Sequence, residues 1–119
     1  MSVAWVVLNE QHTLLPQQEA LLNENYAYWK VFVVPATGWT LLEMMDIEDE
    51  LLEEARHLLN SSGDEMSVVF ASPVPALLKY LSGRDDIFTY VLHNDNREKK
   101  ELPGGKIITT VAKEGWVLA

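Results

Sequence analysis

Thr40-Leu41-Leu42-Glu43-Met44-Met45-Asp46-Ile47-Glu48-Asp49-Glu50-Leu51-Leu52-Glu53-Glu54-Ala55-Arg56-His57-Leu58-Leu59-Asn60-Ser61-Ser62-Gly63 runs straight into Asp64-Glu65-Met66-Ser67-Val68-Val69-Phe70-Ala71. The first stretch is a helix by three independent signals. Thr40 and Glu43 have the spacing of a capping box, in which each side chain takes the other's backbone N–H. Met44, Ile47, Leu51, Ala55 and Leu58 fall on one face, while Glu48, Asp49, Glu50, Glu53 and Glu54 lie mostly elsewhere. Ser61-Ser62-Gly63 supplies the stop. A kink near Asp46 is compatible with the pattern. The apolar run 66–71 has no helical spacing and reads as a buried strand. A long amphipathic helix feeding directly into a buried strand is half of a crossover connection, and the rest of the chain is read outward from it.

Upstream, residues 28–35 are β-rich and end at Thr37-Gly38-Trp39. Residues 2–8 form a first strand, followed by the polar stretch 9–13. Leu14, Leu15, Ala20, Leu21 and Leu22 then recur near helical spacing, with Thr13 as the expected cap and Pro16 in the first turn. Downstream, Ser72-Pro73-Val74-Pro75 leads into a short helix over 76–81, closed by Ser82-Gly83. Residues 87–92 form a fourth strand, 93–101 a polar stretch, Leu102-Pro103-Gly104-Gly105 a turn, and 106–112 a fifth strand. No helix separates the last two strand-like runs, so that pair is expected antiparallel, with Trp116-Val117-Leu118 extending or packing on the sheet edge. The order β-α-β-α-β-α-β-β defines an α/β, minimal Rossmann-like domain: a mainly parallel sheet with helical crossovers and a C-terminal antiparallel hairpin.

Composition bounds the function. The 119 residues, 48% of them hydrophobic, suit a single domain over 1–119 and leave no room for a second. The absence of cysteine excludes disulfides, thiolate metal sites and cysteine nucleophiles, and a reducing, cytoplasmic location is expected. No apolar run approaches the ~20 residues of a membrane helix. The first residues enter a strand without the pattern of a signal peptide, so export is not expected. Net charge is −9, which argues against binding long nucleic acid. That charge is concentrated: residues 41–65 carry nine acidic side chains against Arg56, whereas residues 79–113 carry seven basic against five acidic. A small phosphate-bearing ligand is permitted near the C-terminal third.

In open sheets of this class, ligands sit beyond the carboxyl ends of the strands where the strand order reverses. Three segments qualify. Asn9, Gln11, His12 and Thr13 present amide, imidazole and hydroxyl groups at the start of the first crossover, suited to a phosphate or a ribose; the alternative is a polar connecting loop capped by Thr13. Ser72 would bind phosphate or simply cap the following helix. His93, Asn94, Asp95, Asn96 and Arg97 combine an acid/base group, two amides, a carboxylate and a fixed cation, or else form a turn leading into a solvated charged strand. His12, His57 and His93 make no metal-ligand spacing, no acidic loop matches a calcium pattern, and no metal or cofactor is expected. Glycine-rich nucleotide loops and the hydrolase nucleophile motif are absent. Trp5 and Trp29 are expected in the core; Trp39 and Trp116 are open candidates for stacking.

Two groups of residues together resemble the small CRISPR-associated CARF-like proteins of the ring nuclease type. One is the strand 3–8 followed by His12-Thr13-Leu14 and Gln17 or Gln18. The other is Gly63-Asp64 before a strand and short helix, then strand 87–92, Arg97-Glu98, Gly104-Gly105-Lys106 and a final strand. The resemblance implies binding of a cyclic oligoadenylate second messenger in antiviral defence, and a homodimer whose strand-end surfaces form one symmetric cleft. It also implies cleavage without metal, a ribose 2′-hydroxyl attacking its own phosphate to leave a 2′,3′-cyclic phosphate. His93 or His12 would then assist proton transfer and Arg97 would stabilise charge, with Asn9, Gln11, Thr13, Ser72, Asn94 and Asn96 holding the ligand. The alternatives are a module that binds the nucleotide without cleaving it, and an α/β interaction domain with no small ligand.

Overall fold

The computed structural model describes residues 2–95, 97–111 and 114–119. The elements follow in the order β1 (Ser2–Asn9), α1 (Pro16–Asn25), β2 (Tyr28–Val34), α2 (Leu41–Ser62), β3 (Glu65–Phe70), α3 (Pro75–Ser82), β4 (Ile87–Asn94), β5 (Arg97–Glu101), β6 (Ile107–Val111) and β7 (Trp116–Leu118). One sheet has the order β2-β1-β3-β4-β7, with β5 and β6 pairing separately. Its first four strands are parallel and β7 runs antiparallel to β4. The expected α/β architecture is therefore the observed one.

The chirality of crossovers places the helices. A right-handed connection that steps one way across the sheet lies on the opposite face from one that steps the other way. The β1-to-β2 step runs outward and the next two run back, so α1 covers one face while α2 and α3 cover the other. Strand alternation divides the core accordingly. Val7, Met66, Val68 and Phe70 pack with Leu51, Ala55 and Leu77 from α2 and α3, whereas Ala4, Val6, Val69 and Leu92 pack with Leu22 from α1.

α2 begins as its sequence dictates: the Glu43 N–H donates to Thr40 Oγ1 and the Thr40 N–H to Glu43 Oε1, both at 3.2 Å. It ends at Gly63, whose φ of 72° is the left-handed conformation that a glycine adopts without strain. The helix passes Asp46 without a break. Glu48 does not join the solvated acidic face. It is buried and pairs with Arg84, tying α2 to the end of α3.

Two expected caps are corrected, and proline is the reason in both cases. α1 starts at Pro16 and α3 at Pro75. Proline at the first helical position has no N–H to lose and holds the preceding residue out of the helical region. Leu15 and Val74 are thus the boundary residues, leaving Thr13 and Ser72 too far upstream to cap. The Leu15 N–H is taken instead by Gln18 Oε1 at 2.8 Å.

The C-terminal region also departs from expectation. β4 runs to Asn94 rather than stopping at Leu92, because β7 returns to pair with it, His93 opposite Val117 and Asn94 opposite Trp116. His93 and Asn94 are strand residues, not loop residues. The antiparallel hairpin is β5–β6, turned at Gly104 and Gly105 with φ of 92° and 82°, and it stands outside the main sheet. The radius of gyration, 16.2 Å, exceeds the roughly 13–14 Å of a compact domain of this length, as a projecting hairpin requires. No helix of the described residues is long and apolar enough to cross a membrane.

Replacing Glu48 with alanine removes the partner of Arg84, whose side chain is half exposed and partly recovers water. The expected loss is about 1–2 kcal/mol, read as a lowered urea midpoint with unchanged slope.

Candidate ligand-binding site

The sheet order makes β1 the strand at which the chain changes direction. At its carboxyl end the backbone is pulled both ways: the Glu10 N–H donates to Val34 O at 2.8 Å on the β2 side, while the Ala71 and Ser72 N–H groups donate to Val7 O at 2.9 and 3.0 Å on the β3 side. The connections beyond β1 and β3 diverge from there, which is how a crevice arises at a switch point.

Ser72 is the keystone of this crevice. Its buried Oγ accepts the Asn9 N–H at 2.8 Å and lies 3.2 Å from His12 Nδ1. The Asn9 Oδ1 accepts the Gln11 N–H at 2.9 Å, and the His12 N–H donates to Asn9 O at 2.9 Å, so Asn9 folds the loop back on itself through its side chain. Chemically the arrangement orients the imidazole. The Ser72 hydroxyl can donate to Nδ1 or accept from it, and in either case the contact fixes the ring by one edge.

Beside this loop lies a cleft of about 500 Å³, lined by Gln11, His12 and Thr13, by Leu15 and Gln18 at the start of α1, and by Leu8, Ala71 and Trp116. That volume is ordinary for a small-molecule site. α1 is held over it by the Trp116 N–H, which donates to Gln17 Oε1 at 3.0 Å. The Trp116 indole N–H is buried and has no acceptor among the described residues.

The structure brings together Asn9, Gln11, His12, Thr13 and Ser72. Asn94 belongs to the same face: it is buried and sits across the β4–β7 ladder from Trp116. His93 does not join them. One residue along the strand, it points to the α3 face, where it is exposed with Nε2 3.3 Å from Asp95 Oδ1. On that face Val91 lines a separate apolar pocket of about 280 Å³ with Pro73, Val74 and Leu78. Arg97 opens β5, outside the main sheet; its side chain and Asn96 lie outside the described residues. His12 and His93 thus lie on opposite sides of the sheet. Reading residues alone left Trp116 open and gave Gln18 no role of its own. A glutamine two residues after a proline at a helix start is the signal that could have placed Gln18.

A further cavity, of about 350 Å³, opens at the amino end of the strands beside Tyr26, Ser67 and Tyr90. Burial pushes the Tyr26 phenol above its ordinary 10.0; a hydrogen bond with Ser67 opposes the shift and the nearby Tyr90 adds to it. No family model, curated protein or solved structure matches this chain.

Ser72→Ala strips the acceptor from the Asn9 N–H and is expected to cost about 1–3 kcal/mol, with faster hydrogen exchange at the Asn9 amide as the local readout. The raised Tyr26 pKa has a definite sign. Below the ordinary value both states are protonated; above it the unfolded chain ionises first, so stability is lost as pH rises through the folded pKa. The urea midpoint should fall as pH rises above the ordinary 10.0, and by less in Tyr26→Phe.

Proposed function

We propose that the cleft beyond β1 and β3 binds a small nucleotide, and that the ligand is the cyclic oligoadenylate implied by the family resemblance. The observation that carries this reading is the His12 imidazole, oriented by buried Ser72 at the point where the strand order reverses. Around it are the groups a nucleotide needs. The His12 imidazole, the Gln11 amide and the Thr13 hydroxyl can serve phosphate oxygens as donors, beside the N-terminal end of α1. Trp116 offers an aromatic surface for a base. The acidic helix α2 covers the opposite face of the sheet, so the most negative segment of the chain does not line the cleft.

Binding without cleavage is the better supported form. In-line attack by a 2′-hydroxyl gains from groups placed on both sides of one phosphate, and His93, on the other face, cannot act with His12 on the same phosphate. We take each cleft as a site in itself, so the proposed stoichiometry is one ligand per chain.

Calorimetry and thermal shift with cyclic tetra-adenylate, AMP and ATP in EDTA test the proposal. Cyclic tetra-adenylate is expected to bind with one ligand per chain and to be recovered intact. His12→Ala should weaken binding about tenfold or more, equivalent to about 1.4 kcal/mol, while His93→Ala leaves it unchanged. Conversion to linear products that depends on His12 would restore the ring nuclease reading. No response to any of the three nucleotides would remove the nucleotide reading altogether.

A further inference from the structure

β2 is the open edge of the sheet, and its backbone has a defined unpaired set. In a strand, the N–H and C=O of one residue point to the same edge, and successive residues alternate. The Glu10 N–H donates to Val34 O, so Tyr28, Lys30, Phe32 and Val34 face β1. Trp29, Val31 and Val33 therefore direct their backbone groups outward, where no strand pairs with them among the described residues. The side chains of this edge are apolar and uncovered: Tyr28 is 54% exposed, Val33 55% and Val31 36%. The course of α1 explains the last two. The helix runs diagonally, from the Gln17 contact with Trp116 on β7 to the Asn23 Oδ1 that accepts Trp29 Nε1–H at 2.8 Å, and it leaves the carboxyl half of β2 bare. Natural edges are guarded by charge, proline or a bulge. The one charge in β2 is Lys30, and its ammonium lies 3.7 Å from the centre of the Trp5 ring.

We infer that two copies of this chain pair through β2, antiparallel, about a two-fold axis at Val31, so that the two sheets become one. The register follows from the edge itself. With the axis at Val31, Val31 pairs with its own copy and Trp29 with Val33, so the three outward residues of each strand satisfy one another through six N–H···O bonds, three donated by each chain. Shifting the axis to Lys30 sets the two lysines directly opposite each other, a like-charge pair across the strands. Shifting it to Phe32 sets Trp29 against Pro35, which has no N–H to give. Only the Val31 register uses all of the outward groups and brings no like charges together, Lys30 then lying opposite Phe32. Because the strands are antiparallel across the axis, the two His12 clefts lie at opposite ends of the joined sheet. This dimer differs from the single shared cleft that the family resemblance implies, and it holds whether or not the clefts bind nucleotide.

Light scattering and sedimentation of the full chain at about 100 µM should give twice the 13.5 kDa chain mass. Val31→Lys and Val31→Glu, each folded by circular dichroism, should run as monomers when alone and regain the dimer when mixed in equal amounts. The chain has no cysteine, so Val31→Cys reports the register directly: its Cα atoms would lie about 5.5 Å apart, within disulfide reach. It should oxidise to a linked dimer, whereas Val33→Cys, displaced four residues from its copy, should not. A monomeric wild type, a dimer that survives both charged substitutions, or linkage through Val33→Cys as readily as through Val31→Cys overturns the inference.

Discussion

The constraint on which the molecule depends is the enclosure of β1. It has a parallel neighbour on each edge and a helical layer on each face, and Ala4, Val6 and Val7 are wholly buried. A strand in that position cannot be left by a hairpin; the chain must cross over to reach each neighbour. Crossovers of one hand then force α1 to one face and α2 with α3 to the other. The divergence of the chain beyond Asn9 and Phe70, and with it the crevice that Ser72 and His12 occupy, is the geometric remainder of burying β1 in this way.

The parts of this fold legible in sequence are those governed by local chemistry. α2 is written three times over, in its Thr40 and Glu43 cap, its apolar face and Gly63, so its bounds could be read to within a residue or two. The parallel order followed because helices separate the first four strands. What could not be read depends on partners remote in sequence. Nothing near Ser72 announces that its hydroxyl will meet the Asn9 N–H some sixty residues away. Nothing in residues 93–94 indicates that the last strand will return to lengthen β4. Glu48 looked like any other residue of an acidic face until Arg84 was brought beneath it. The site was legible as a set of loops, because strand ends are where such sheets bind. Its composition was not, because whether His93 or Asn94 faces the cleft turns on strand parity, and a one-residue change of position moves a side chain through the sheet.

Electrostatics and topology act together. The segment that holds most of the negative charge is a crossover helix, and its face is fixed by the direction in which the chain steps from β2 to β3. The cleft lies behind the first crossover, on the other side of the sheet, where the −9 of the whole chain is a poor guide to local potential. A net charge describes a chain; the sheet decides which surface carries it.

β7 is three residues long, and two of them, Trp116 and Leu118, pack against the core on the α1 face. It covers the last three residues of β4, Leu92 to Asn94, whereas β2 has no neighbour along its outer edge among the described residues. A sheet with two long free borders can recruit neighbours without end, each addition exposing a fresh border and growing a filament. With β7 in place, the free part of the β4 border is shortened to residues 87–90 among the described residues, and a pairing of two copies through β2 would leave only that shorter border at each end of the joined sheet. The short tail strand thus trims one border of the sheet, and leaves the apolar edge of β2 as the longer of the two.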